Sequence, residues 1–139
     1  MKRQNGSSGK KLKDGIKYKF KVSAYKVNDG KKKYIRTVKI TTATCPKKVL
    51  SFSIKKKSKR KLILTWKRNP RCNGYEIWSK EGGKKYKRIR LLKKKTICKT
   101  AMNLLKEKQK YSFKIRSYIT IGNKKIYSSF TKSETIVTK

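Results

Sequence analysis

The sequence contains no histidine and only six acidic residues in 139, and both shortages limit the chemistry that it can carry. Without an imidazole there is no Ser-His pair, no histidine metal site and no side chain that ordinarily titrates near neutral pH. The carboxylates stand far apart and no motif gathers them: Asp14, Asp29, Glu76, Glu81, Glu107 and Glu134. We therefore predict a binding or structural module that is not an enzyme, with no catalytic residues, no cofactor and no metal site.

Long apolar runs are absent as well. No stretch of about 18 apolar residues occurs, so we expect no transmembrane segment, and the charged start lacks the apolar core of a signal peptide. Residues 1–9 are polar and rich in Gly and Ser, which predicts a flexible tail.

Apolar residues make up 35% of the chain, and so low a share together with a net charge of +38 is typical of disorder. The pattern indicates the opposite. Apolar and polar residues alternate strictly over residues 18–24 and again over residues 111–117. This period of two is typical of strands with one face in a core and one in water, so we predict a folded all-β protein with lysine on its solvent faces.

Cysteine is scarce: Cys45, Cys72 and Cys98 are an odd number without CxxC spacing. Neither a zinc site nor a full disulfide framework follows from them. Our main interpretation is three isolated thiols, and one disulfide in a secreted protein is the alternative. A nucleophilic cysteine is the least favoured interpretation, since no histidine can activate it, although dense lysine can lower a thiol pKa.

An internal repeat organises the chain. Sliding the sequence on itself by 93 residues aligns Leu12, Tyr18, Phe20, Val22, Tyr25, Lys32 and Tyr34 with Leu105, Tyr111, Phe113, Ile115, Tyr118, Lys125 and Tyr127. The offset is about the length of one β-sandwich domain. We therefore expect residues 10–44 to be the end of one unit and residues 45–139 to be a whole second unit, with the junction near Thr44-Cys45-Pro46.

The complete unit divides into seven short strands, predicted at residues 49–54, 61–67, 74–80, 86–91, 95–101, 109–119 and 125–137, the last with a possible kink. With no convincing amphipathic helix, this spacing predicts a seven-stranded antiparallel sandwich of two sheets. Residues 17–27 and 33–42 predict a hairpin with its turn at Asn28-Asp29-Gly30. Because it lacks five preceding strands, we expect this hairpin to be exposed, mobile, docked on the second unit or paired with another chain.

Three motifs then follow in a set order: Leu62-Ile63-Leu64-Thr65-Trp66, Gly74-Tyr75-Glu76-Ile77-Trp78, and Leu105 six residues before Tyr111-Ser112-Phe113-Lys114-Ile115-Arg116-Ser117-Tyr118. Their order and spacing resemble a fibronectin type III domain of the kind found in bacterial surface proteins and extracellular carbohydrate-active enzymes. The resemblance covers residues 45–139 in full, while residues 10–44 resemble only the last two strands of a preceding copy. It implies a noncatalytic domain of a larger protein, located outside the cell or at its surface.

The expected core consists of Trp66, Tyr75, Ile77, Leu105, Tyr111, Phe113 and Ile115, with Tyr75 and Ile77 subject to the register of their strand. In the family, the Leu-to-Tyr spacing forms a tyrosine corner, whose hydroxyl bonds to upstream backbone. Tyr111 matches this corner and Tyr18 repeats it. For Trp78 we favour core or sheet packing over a surface binding platform.

Lysine outnumbers arginine 36 to 8. Because arginine is the residue that reads base edges in a bidentate manner, sequence-specific nucleic-acid recognition is not predicted. Two functions stay open: a spacer, structural or adhesion module whose partners are other domains, and a binder of polyanions such as wall polymers, acidic polysaccharide, anionic lipid or nucleic acid. The candidate polyanion contacts are Lys55, Lys56, Lys57, Lys59, Arg60, Lys61, Lys93, Lys94 and Lys95.

Overall fold

The alternating pattern forms ten β-strands in the computed structural model, which describes residues 11–103 and 105–139. The predicted tail, residues 1–9, lies outside the described residues. No helix long and apolar enough to cross a membrane occurs in the described ranges. The strands are β1 (Lys17–Asn28), β2 (Lys31–Ala43), β3 (Ser53–Ser58), β4 (Lys61–Thr65), β5 (Gly74–Glu81), β6 (Lys87–Leu92), β7 (Lys99–Met102), β8 (Lys110–Ile121), β9 (Lys124–Tyr127) and β10 (Glu134–Val137).

Strands β1 and β2 form a separate two-stranded antiparallel hairpin. Its two-residue loop is Asp29-Gly30, with φ of 50° and 72° respectively. Positive φ at both loop positions defines a type I′ turn, whose twist matches that of the strands, and glycine adopts it without steric cost. A β-bulge between Ala24 and Tyr25 interrupts the register halfway along the hairpin.

The other eight strands form two sheets. Strands β3, β4 and β7 make a three-stranded sheet in the order β3-β4-β7, and the second sheet has the order β10-β8-β5-β6 with β9 also paired to β8. Strand β8 is therefore central, with β5 on one edge and both β9 and β10 on the other. The two layers enclose the core.

The predicted last strand divides into β9 and β10, so residues 45–139 contain eight strands where we predicted seven. Ser128 and Thr131, which lie between them, explain the division. The Ser128 hydroxyl accepts a hydrogen bond from Ser117 N and the Thr131 hydroxyl accepts one from Ile115 N. Since side-chain oxygens take these amides, the regular backbone ladder is interrupted here.

Two other strand limits differ from the prediction. The first strand of the unit begins at Ser53 rather than at residue 49, because Ser51 has a left-handed φ of 54° that breaks the extended backbone. The strand then continues to Ser58, through residues predicted as a turn. Strand β7 begins only at Lys99, because residues 93–98 form a loop.

All seven expected core residues are buried and share one hydrophobic cluster with Leu62 and Leu64 of β4. Trp66 packs edge-to-face on Tyr75, with ring centroids 5.4 Å apart. Tyr75 and Ile77 both point inward, which fixes the register of β5. Trp78 follows Ile77 and therefore lies on the opposite, outer face of β5, because side chains alternate between the two faces of a strand.

Candidate interaction surfaces

The predicted polyanion contacts lie at opposite ends of the sandwich. Residues 55–61 form the tip of the β3–β4 hairpin, where Arg60 Nε donates to the carbonyl oxygen of Leu105 (3.1 Å). Residues 93–95 lie in the β6–β7 loop, beside the far end of β4, where Lys95 Nζ donates to the carbonyl oxygen of Pro70 (3.1 Å). The structure does not bring these two runs together.

The second lysine run is joined by two lysines that sequence analysis missed. Lys17 of the hairpin and Lys125 of β9 line, with Lys93, a cavity of about 430 Å³. Lys93 also lines a second cavity of about 380 Å³, together with Lys94 and Lys95. Neither lining contains an acidic residue of the described chain. This basic pocket pair, defined by these five lysines, therefore concentrates positive charge at the junction between hairpin and sandwich.

Glu76 is fully buried on the outer side of β5, and its carboxylate accepts five hydrogen bonds. Oε1 accepts from Arg88 Nη1 (2.9 Å) and from the Tyr127 hydroxyl (3.1 Å). Oε2 accepts from Arg116 Nε (3.0 Å) and Nη2 (2.8 Å) and from Trp78 Nε1 (3.3 Å). A buried charge is tolerated when it is paired and its lone pairs are satisfied, and both conditions hold here.

The electrostatics of Glu76 follow from these contacts. Burial by itself raises the pKa of this carboxyl group, but hydrogen bonds from Arg116, Arg88 and Trp78 outweigh it. The pKa of Glu76 therefore lies below its ordinary value, and the group is ionised at neutral pH. These contacts link four strands, because Glu76 and Trp78 lie on β5, Arg88 on β6, Arg116 on β8 and Tyr127 on β9. We call these five residues the charge network.

An aromatic cluster covers this charge network. The Arg116 guanidinium lies 3.7 Å from the ring centroid of Tyr127 and 4.7 Å from that of Phe130. Trp78 packs edge-to-face on Phe130, with centroids 5.8 Å apart, and Lys114 Nζ lies 4.2 Å from the Phe130 centroid. Trp78 is therefore part of the packing on the outer face of the sheet, rather than of the core between the sheets.

The three cysteines are free thiols, with Cys45 exposed, Cys72 buried and Cys98 half-buried. The Cys72 thiol donates to the carbonyl oxygen of Asn69 at 3.3 Å. Burial raises the pKa of Cys72 above its ordinary value, which favours the neutral thiol. The shift is opposite to the one that a nucleophilic cysteine needs.

The tyrosine corner is formed twice. Lys106 N donates to the Tyr111 hydroxyl at 3.1 Å, and in the hairpin Lys13 N donates to the Tyr18 hydroxyl at 2.9 Å. A threonine closes each corner in the same way. Thr138 accepts from Gln109 N and donates to Lys106 O, while Thr44 accepts from Ile16 N and donates to Lys13 O. The two corners therefore share one hydrogen-bond pattern.

The side chains beyond each corner repeat as well. Ring centroids are 6.3 Å apart in both Tyr18–Phe20 and Tyr111–Phe113, and they are 6.0 and 6.3 Å apart in Tyr25–Tyr34 and Tyr118–Tyr127. The aromatic rings of the hairpin therefore repeat the arrangement of those in β8 and β9, although β2 is continuous where β9 and β10 are separate strands.

The surroundings of the two copies differ completely. Phe113 and Ile115 are 1% and 0% exposed, whereas Phe20 and Val22, their counterparts in β1, are 43% and 61% exposed. The register of the hairpin places Phe20 opposite Ile40 and Val22 opposite Val38. We call Tyr18, Phe20, Val22, Val38 and Ile40 the apolar hairpin face.

The base of the hairpin contacts the sandwich. Gly15 N donates to the carbonyl oxygen of Cys45 at 3.0 Å, and Asp14 lies 3.8 Å from Lys47. Gly15 has a φ of 62°, and a Cβ placed on it would lie 2.1 Å from the carbonyl oxygen of Arg71. Glycine is therefore needed here both for its backbone conformation and for close approach.

No family model matches this chain, and no curated protein does either. Solved structures match it along most of its length. The chicken CNTN1 FN1-FN3 domains are 17% identical over 87% of this chain and 41% of that chain, with a TM-score of 0.60. The fold is that of a fibronectin type III domain. The resemblance carried by the three sequence motifs is thus confirmed at the level of the fold.

The extent of each match depends on how many fibronectin type III domains the other structure contains. The match to a structure of one fibronectin type III domain of human collagen XX, 15% identical with a TM-score of 0.51, covers 67% of this chain and 93% of that chain. A two-domain segment from chicken tenascin, 13% identical with a TM-score of 0.60, covers 86% of this chain and 65% of that chain. Residues 45–139 are only about two thirds of this chain. The longer matches must therefore include hairpin residues.

Proposed function

We propose that this chain is a noncatalytic spacer or interaction module of a larger protein that lies outside the cell or at its surface. In this proposal, residues 45–139 are a complete fibronectin type III domain and residues 10–44 are the last two strands of a preceding one. The observation that carries it is the tyrosine corner formed at both Tyr18 and Tyr111, closed by a threonine each time. Its partners are then the other domains of the same protein.

The junction supports a spacer role. Only Thr44, Cys45 and Pro46 connect the end of β2 to the second unit, and Pro46 is buried. Hydrogen bonds from Gly15 N to Cys45 O and from Thr44 N to Ile16 O tie this connection to the corner. A short, bonded connection restricts the angle between neighbouring units, which is what a spacer needs to hold its ends apart.

Polyanion binding is the second candidate, and the basic pocket pair favours it. Five lysines from the hairpin, the β6–β7 loop and β9 surround two cavities whose described linings contain no carboxylate. Such a cluster attracts a multiply charged anion, and each neutralised phosphate or sulfate releases counterions. The ligand class would be a linear polymer carrying phosphate, sulfate or carboxylate groups.

Retention on heparin resin at increasing NaCl, with a neutral resin as control, separates the two functions. Two triple Lys→Gln variants lose the same charge, one at Lys93, Lys94 and Lys95 and the other at Lys55, Lys56 and Lys57. A spacer with a generally basic surface elutes below physiological salt, and both variants shift equally. Retention at physiological salt that only the first variant loses would contradict the spacer proposal and favour a polyanion site.

A further inference from the structure

The outer face of the sheet that contains β8 has a polar cavity that neither candidate function uses. Its volume is about 620 Å³, more than that of either cavity in the basic pocket pair. Its lining includes two lysines and four side chains that end in a hydroxyl group: Lys80, Lys110, Tyr86, Ser112, Ser133 and Thr135. We call it the outer-face cavity.

Strand pairing brings these side chains onto one face. Lys80 of β5 lies opposite Ser112 of β8, and Ser112 lies opposite Thr135 of β10. Lys110 precedes Ser112 by two residues on the same strand, so it shares this face at a distance of about 7 Å. Residues from three strands, remote from one another in sequence, therefore form a single surface.

Tyr86 forms one wall of the cavity. It comes directly before β6, and its hydroxyl is hydrogen-bonded to that of Ser133, which comes directly before β10 at the opposite edge of the sheet. The Nζ atoms of Lys114 and Lys80 lie 4.2 and 5.2 Å from its ring centroid. These contacts hold the ring across the sheet, so the wall is in place before a ligand binds.

The charge of the cavity favours an anion. Neither Lys80 nor Lys110 forms an ion pair within residues 11–103 and 105–139. Glu81 and Glu134 are the acids next to the lining in sequence. Each is adjacent to a lining residue on the same strand, so its side chain leaves that strand on the opposite side.

The four hydroxyl groups form two pairs. Ser112 pairs with Thr135 at 2.9 Å, and Tyr86 pairs with Ser133. We call these four side chains the hydroxyl row. In each pair one hydroxyl donates to the other, so the accepting hydroxyl keeps its own proton for a ligand. Groups that both donate and accept suit the hydroxyl groups of a sugar, whereas carboxylates and phosphates only accept.

We propose that the outer-face cavity binds an acidic polysaccharide, with a carboxylated sugar ring against Tyr86 and the hydroxyl row and its carboxylate on Lys80 and Lys110. A uronic acid combines both features, since one ring carries a carboxylate and several hydroxyl groups. The inference goes beyond both candidate functions, because a spacer needs no ligand and the basic pocket pair lies on other residues at the hairpin junction.

The test measures binding of a galacturonic acid oligomer by isothermal titration calorimetry at physiological salt. Polyphosphate of the same charge is the second probe, because it supplies the charge without hydroxyl groups. Ser112→Ala with Thr135→Val removes one hydroxyl pair of the cavity. Ser53→Ala with Thr65→Val is the matched control, because it removes a cross-strand hydroxyl pair of the same 2.9 Å length from the other sheet.

We expect the Ser112 and Thr135 variant to weaken binding of the galacturonic acid oligomer about fivefold, the effect of a lost hydrogen bond. It should change polyphosphate binding by less than about twofold, and the control pair should change neither. Tyr86→Phe, which keeps the ring and loses one hydroxyl of the second pair, should repeat this result.

The lysines are tested in the same way. Lys80→Gln with Lys110→Gln should weaken binding of the oligomer by at least about tenfold, because both charge-assisted contacts are lost. Lys39→Gln with Lys99→Gln removes the same charge from exposed positions of the hairpin and the other sheet, and it should have a much smaller effect.

The inference is overturned if the oligomer fails to bind at physiological salt. It is also overturned if the two lysine variants weaken binding equally, or if loss of the cavity hydroxyls has no more effect than loss of the control pair, since binding then depends on total charge. None of these outcomes decides the spacer role, because the heparin experiment uses lysines outside this cavity.

Discussion

Strands β1 and β8 have the same apolar pattern, the same tyrosine corner and nearly the same ring geometry, yet Phe20 is 43% exposed where Phe113 is 1% exposed. The local structure is therefore independent of burial. It comes from alternation, from the corner hydrogen bonds and from pairing with the next strand. Within residues 11–103 and 105–139, β1 lacks an opposing sheet and a neighbouring strand equivalent to β5.

The difference has an energetic meaning. Full burial of a phenylalanine side chain contributes roughly 1.5–3 kcal/mol relative to exposure. Phe113 has this contribution in full, whereas Phe20, which is 43% exposed, has only part of it. The hairpin is held by its type I′ turn, by cross-strand pairs such as Phe20 with Ile40, and by its corner, each a smaller contribution. Two strands alone are marginal in water, so the hairpin is the less stable part of this chain.

The largest expected difference in stability is between Phe113→Ala in β8 and the equivalent substitution Phe20→Ala in β1. Phe113→Ala should lower the free energy of unfolding by roughly 3–5 kcal/mol, because it leaves a cavity between the sheets. Phe20→Ala should change it by less than about 0.5 kcal/mol. Urea unfolding followed by tryptophan fluorescence measures both. Equal losses would mean that the hairpin face is covered in solution.

The second difference between the two copies is the buried charge network, because Ser23 of the hairpin occupies the position that Arg116 has in β8. Glu76→Gln should lower the free energy of unfolding at pH 7 by roughly 2–3 kcal/mol, because two guanidinium groups lose their carboxylate partner. Because the folded-state pKa of Glu76 is lowered, its stabilisation is present above the ordinary value of 4.5 and is lost as pH falls through the folded-state pKa.

Melting temperatures of the wild type and Glu76→Gln should therefore converge as pH falls below about 4.5. Glu81→Gln is the control, because Glu81 pairs with Lys84 and Lys106, whose side chains are largely exposed. Its effect should be much smaller at every pH. A difference between wild type and Glu76→Gln that persists undiminished at low pH would show that packing, and not charge, accounts for the loss.

We expect the protection of backbone amides from hydrogen exchange to depend on the burial of a strand rather than on its alternating sequence pattern. In dilute monomer, amides of residues 18–22 should exchange at least about 100-fold faster than those of residues 111–115, because the hairpin opens without unfolding the sandwich. Hydrogen exchange read by NMR or mass spectrometry makes the comparison. Equal rates would contradict an independently opening hairpin and indicate firm docking on the sandwich.

The smallest expected effect concerns salt. Lys17, Lys19 and Lys21 stand about 7 Å apart along one face of β1, within the Debye length of about 10 Å at 0.1 M salt. Screening should therefore raise the melting temperature between about 10 and 300 mM NaCl and slow exchange in the hairpin more than in β8. A melting temperature that falls over this range would mean that the lysines are paired in ways that this structure lacks.

Several features could be predicted from the sequence because they depend on neighbours in the chain. The alternation around Tyr111, the turn at Asp29-Gly30 and the Leu-to-Tyr spacing each specify a local geometry. The repeat of 93 residues predicted that Tyr18 would form the second corner. By contrast, the break after Tyr127 depends on which amides the hydroxyls of Ser128 and Thr131 reach, and their spacing alone does not reveal this.

The charge network around Glu76 was missed entirely. Alternation separates Glu76 from Tyr75 and Ile77, but it does not reveal that Arg116 stands opposite Glu76 on the neighbouring strand. A carboxylate among 44 basic residues is easily taken for a solvated one. Of the basic pocket pair, Lys93, Lys94 and Lys95 were predicted as polyanion contacts, whereas Lys17 and Lys125 were missed, because these two meet Lys93 only when hairpin and sandwich are in place.

The sequence by itself determined the strands, the duplicated corner and the all-β class, since each follows from periodicity or turn chemistry within a few residues. Only the tertiary structure decided burial and charge pairing. Phe20 and Phe113 are equivalent in sequence and in local shape, and Phe20 is exposed because no second sheet of the described chain lies over it. Burial depends on what packs against a face, and that partner is remote in sequence.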